Sequence, residues 1–139
     1  MNFSKFETFA VVERASYGGT SVSVNPGTKV TSIVPQWGRM EVAKLDVIEG
    51  HLCVTLEDYP FEPQEGTGSL IEVLSLIDDQ TRIVIAGDGF TICGCHEHVK
   101  SIVRGLLGYK VNNCFAFCDE DDDGDGFINI CLKSPEEKE

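Results

Sequence analysis

The sequence predicts a small α+β domain: a mostly antiparallel or mixed β-sheet with two short helices in its second half. Three observations carry that expectation. Residues 40–48 and 51–57 read as adjacent strands joined at Glu49-Gly50, the second alternating Leu52, Val54 and Leu56 against Cys53, Thr55 and Glu57. An apolar stripe at helical spacing follows residue 94, and a hairpin pattern of residues 114–118 and 127–132 closes the chain. A length of 139 residues suits one domain, with 1–133 as the globular unit and 134–139 as a flexible acidic tail.

The opening residues carry competing signals. Ser4-Lys5-Phe6-Glu7 has the spacing of a capping box, with Phe6, Phe9 and Ala10 on one helical face. Phe9-Ala10-Val11-Val12 would serve equally well as a strand. This opening resembles the first helix of the LysR-type helix-turn-helix regulators as far as Tyr17. Gly18-Gly19 and the β-like Ser21-Val22-Ser23-Val24 then stand where a basic recognition helix would be, and the resemblance ends there.

Asn25-Pro26-Gly27 predicts a turn, and residues 29–34 a strand stopped by Pro35. Residues 59–68, with two prolines and two glycines, form a loop. Ser69-Leu70-Ile71-Glu72 is a second capping box, opening a helix whose stripe is Leu70, Val73, Leu74 and Ile77, with a strand as the alternative. Residues 82–86 read as a buried strand. The helix after it has Cys95, Val99, Ile102, Val103, Leu106 and Leu107 on one face and stops at Gly108. No internal repeat is legible.

Charge excludes several functions. The formal net charge is −12, from 23 acidic and 11 basic residues. Residues 119–139 alone hold nine of the acids and two of the bases. A nucleic-acid binder that neutralises phosphates needs the opposite sign, as does docking on an anionic membrane. No apolar run is long enough to span a bilayer, and the opening residues lack a secretory signal. Six cysteines are too sparse for a disulfide scaffold and read as reduced thiols in a cytoplasmic protein.

The sharpest motif is Asp119-Glu120-Asp121-Asp122-Asp123-Gly124-Asp125-Gly126, with six carboxylates in its first seven residues. Like charges so close repel, so the segment is either neutralised by a cation or a basic partner or is a glycine-broken hairpin loop kept soluble by its charges. From Asp121 onward the segment resembles an EF-hand or dockerin calcium loop. The resemblance implies Ca2+ as cofactor, held by Asp121, Asp123, Asp125, the Phe127 carbonyl and Asn129. Its departure is Leu132, where the family has a bidentate Glu. The other use of the same charge is capture of a basic protein surface by Asp119, Glu120, Asp121, Asp122, Asp123 and Asp125.

Three further patterns fit less well. Cys93-Gly94-Cys95-His96-Glu97-His98 offers zinc-type ligands without paired-knuckle spacing, and position 100 is Lys where H-E-x-x-H requires His. Cys93 or Cys95 with His51, His96 or His98 as base would make a nucleophile, with no charge stabiliser in view. Ala86-Gly87-Asp88-Gly89-Phe90 suggests a phosphate cradle but has Ile92 where the third glycine belongs. Trp37 reads as a lid on the core. With no assembled catalytic set, the expectation is a non-enzymatic acidic binding protein, an inhibitor or immunity-type protein facing a basic, nucleic-acid-binding surface. The alternative is a calcium-binding protein.

Overall fold

A computed structural model describes residues 1–58, 68–118 and 126–133. The chain builds two four-stranded mixed sheets with the same connectivity, ordered β2-β1-β4-β3 and β6-β5-β8-β7. In the first, β1 (Arg14–Tyr17) and β2 (Thr20–Ser23) form a hairpin around Gly18-Gly19. Next come α2 (Val30–Ile33) and a 3-10 turn, Pro35–Arg39. A second hairpin of β3 (Glu41–Ile48) and β4 (His51–Glu57) then places β4 parallel to β1.

The second sheet repeats the plan with β5 (Arg82–Gly87), β6 (Phe90–Cys95), α4 (His96–Ile102), β7 (Val111–Phe117) and β8 (Phe127–Leu132). Here β8 lies parallel to β5. The helices α1 (Phe3–Glu7) and α3 (Leu70–Leu74) precede the two sheets. The architecture is thus the expected small α+β domain.

Alternation makes the core. Leu52, Val54 and Leu56 of β4 and Ile128, Ile130 and Leu132 of β8 all turn inward and are buried. Phe3, Phe6, Leu45, Leu70, Ile83 and Ile85 are fully buried among them. Each such side chain removed from water contributes about 1.5–3 kcal/mol. Trp37 is 7% exposed and meets Tyr17 edge-on at 6.2 Å, as its reading as a core lid requires.

Several local expectations are corrected. Residues 29–34, expected as a strand, contain the helix α2. Its Val-Thr-Ser-Ile sequence favours a strand intrinsically, and a tertiary contact overrides that preference. The contact comes from Glu7, 6% exposed, whose carboxylate accepts from Val30 N at 2.8 Å and Thr31 Oγ1 at 2.6 Å. Glu7 therefore caps α2 and takes no part in a box with Ser4. The cap of α1 is Asn2, whose side chain accepts from Lys5 N at 2.8 Å.

The first half also holds two helices: α1, one of the two alternatives for the opening residues, and α2, which was not expected. Around α3 the reading holds, although Glu72 reaches back to Gly68 N at 2.6 Å. The phosphate-cradle reading of 86–90 fails: Gly87 and Phe90 pair across a hairpin turn of Asp88-Gly89, with Gly89 at φ 85°. The long helix expected from Cys95 is shorter. Cys95 ends β6, α4 stops at Ile102, and a 3-10 turn covers Arg104–Leu106. Ile102, assigned to the buried stripe, is 67% exposed. Among the described residues, no helix is long and apolar enough to cross a membrane.

Candidate functional site

The two sheets differ most on their outer faces. Register puts Arg14, Ser16, Lys44, Asp46 and Thr55 on the outer face of the first sheet, opposite the buried positions. That face is mostly polar, with Cys53 and the exposed Ile48 also on it, as expected of a sheet covered on one side only. On the second sheet the corresponding face carries Phe115 and Phe117 from β7, Phe127 from β8, and Val84 and Ala86 from β5, beside Asn113, Asn129 and Cys131. Phe117 and Phe127 pair across the hairpin with ring centroids 5.1 Å apart, and the Arg82 guanidinium lies 6.0 Å from the Phe127 ring. Phe117 is 48% exposed. Aromatic side chains left at a surface are the usual energetic centres of protein interfaces.

The acidic segment connects these two phenylalanines. In the first sheet β3 and β4 are joined by Glu49-Gly50 alone, both at positive φ, the tight turn that suits a twisted hairpin. In the second sheet the connection runs from Cys118 to Gly126. Asp119, Glu120, Asp121, Asp122, Asp123 and Asp125 lie outside the described residues; both ends of the segment lie within them. Gly126 is buried at φ 103°, and a Cβ there would overlap the Phe117 carbonyl oxygen. The other end is held too: a Cβ on Gly50 would come within 2.8 Å of the Cys118 Cβ.

Of the calcium-loop residues, Phe127 and Asn129 are described, and both sit in β8. Asn129 pairs with Phe115 on one side and Val84 on the other, and its Oδ1 accepts from the Cys131 thiol at 3.6 Å. The glycine that a calcium loop needs for its turn is required here by the Phe117 carbonyl in any case.

The cysteine–histidine motif is spread out. Cys93 and Cys95 lie on β6 opposite Val84 and Arg82. His96 is buried, with Nδ1 2.9 Å from the Ile77 carbonyl and 3.9 Å from Asp79. Among the described residues no group of three or more His, Cys, Asp or Glu is placed to hold a metal ion. None of the six cysteines is in a disulfide. Burial pushes the Cys114 thiol up to about 12, which keeps it protonated and inert.

One cluster had no sequence signal. Glu13 pairs with His51 Nδ1, and Arg14 donates to Ser23 Oγ at 3.3 Å, beside a cleft of about 150 Å³ that also touches Val24, Asn25 and Pro26. The pair joins residues 38 apart, so only the parallel β1–β4 pairing brings it together. Cys53, on β4 opposite Arg14, has its thiol pushed up by burial and donates to the His51 carbonyl at 3.6 Å, so it is no thiolate nucleophile. A second cleft of about 120 Å³ adjoins Glu7 and Lys29. Small-molecule sites usually need about 300–1,000 Å³.

Comparison with protein-family models, with curated proteins and with solved structures finds no match.

Proposed function

We propose that this chain is a small acidic, non-enzymatic binding protein of the inhibitor or immunity type. It occupies a basic surface of a protein partner, of the kind that otherwise meets nucleic acid. The observation that carries the reading is the Phe117–Phe127 pair at the root of the acidic segment. Carboxylates alone give fast, salt-sensitive encounter with many cations. Aromatic rings beside them supply apolar area that slows release and selects a partner.

An oligolysine peptide serves as a first probe of the charge. Wild-type protein is expected to bind it at low ionic strength and release it as salt rises, since screening acts over about 8 Å at physiological strength. Replacing Asp121, Asp122 and Asp123 with lysine should weaken binding at least tenfold with an unchanged circular dichroism spectrum. The pair Glu136→Lys and Glu137→Lys, in the tail, should change it less than twofold. Equal losses in the two variants would remove the acidic segment from the interface. Calcium is the competing neutraliser, favoured by the spacing of Asp121, Asp123 and Asp125. If one calcium binds stoichiometrically and abolishes peptide binding, the calcium reading replaces this one.

A further inference from the structure

We infer that the chain is two copies of one structural unit fused head to tail, joined through the interface of a two-fold dimer in which each unit lends a short segment to the other's sheet. The sheets share strand order, and the correspondence extends to single hydrogen bonds. Phe3 N donates to the Met40 carbonyl at 2.9 Å, as Leu70 N does to that of Tyr109 at 2.8 Å. Val42 N donates to the Met1 carbonyl, and Val111 N to that of Gly68. Val34 N returns to Val30, and Val103 N to Val99. Even the irregularities match, with β3 slipping between Val42 and Lys44 and β7 between Val111 and Asn113.

The exchange between halves is reciprocal. After α1, Ala10 bridges Cys114 of β7 in parallel, and Cys114 N donates to the Phe9 carbonyl at 2.8 Å. After α3, Ile77 bridges Leu45 of β3 in parallel, and Leu45 N donates to the Leu76 carbonyl at 2.8 Å. Each donated segment pairs with the outer side of β3 or β7, an edge that would otherwise present open backbone groups. This is the isologous relation of a closed dimer, where a contact made by one unit is returned by the other. Surface positions follow the same relation: Ile33 and Ile102 are 61% and 67% exposed, and Ile48 and Phe117 are 42% and 48% exposed.

In such a fusion the gap from the end of β8 back to Met1 is equivalent to the gap from the end of β4 to Gly68, which residues 58–67 span. A circular permutant that leaves out only residues 59–67 tests this. It begins at Gly68 and ends at Asp58, and the native residues 134–139 plus four glycine and serine residues join Lys133 to Met1. It is expected to be monomeric, with the wild-type circular dichroism spectrum and a melting temperature within about 5 °C. In the unpermuted chain, the Leu45 and Cys114 amides should exchange with deuterium at rates within tenfold of each other. Two results would overturn the inference. One is a permutant that stays unfolded with this joint and with one twice as long. The other is exchange at Leu45 and Cys114 differing more than a hundredfold.

Discussion

Replacing Glu7 with alanine is expected to destabilise the protein by about 3 kcal/mol, which lowers the melting temperature by roughly 10 °C. The reason is the number of donors this carboxylate satisfies. It accepts from Val30 N, Thr31 N and Thr31 Oγ1, and it is the side-chain cap of α2, whose own preceding residue, Lys29, makes none. Val30 is fully buried, so its N–H would be left without water or protein. Hydrogen bonds to a charged acceptor are worth about 1.5–3 kcal/mol each, and the deletion leaves a buried donor unpaired. Glu7→Gln keeps one acceptor oxygen and should lose less than half as much. Denaturant unfolding reads both. A loss under about 0.5 kcal/mol for Glu7→Ala would mean that α2 holds without this contact.

The second large effect is expected at Gly126. Alanine there must adopt φ 103°, a left-handed conformation costly for any residue with a Cβ, and must displace the Phe117 carbonyl. About 3 kcal/mol is expected, with backbone as the obstacle instead of a side chain that can turn aside. Gly89 provides the comparison, being at φ 85° with open space around it. Gly89→Ala should cost only the conformational strain, about 1 kcal/mol. The difference between the two isolates the collision with the β7 backbone. Gly126→Ala should cost the same with calcium and with chelator. A cost confined to calcium-containing buffer would show that this glycine serves a metal loop.

The strands of both hairpins were legible because alternation survives in them. Leu52, Val54 and Leu56 declare a face, and so do Ile128, Ile130 and Leu132. The helix α2 was hidden because its cap arrives from Glu7, 23 residues earlier. The cluster of Glu13 and His51 was hidden likewise, since only a parallel strand pairing unites it. The repeat is hard to read in the sequence because only scattered equivalents are identical, such as Val42 and Val111, while others keep burial alone: Phe3 answers to Leu70, and Leu45 to Cys114. Spacing drifts as well, because one hairpin closes with Glu49-Gly50 and the other with the acidic segment. Its charge was plain in the sequence. The aromatic face beside it was not, because Phe115, Phe117 and Phe127 become neighbours only through the β7–β8 register.

The most direct test of the central claim is affinity capture from the cells that make this protein, with quantification of what each bait retains. The wild type and the tail variant with Glu136→Lys and Glu137→Lys should enrich the same basic protein. The variant with Asp121→Lys, Asp122→Lys and Asp123→Lys should lose it at least tenfold while remaining folded. Undiminished capture by the charge-reversed bait would contradict the account.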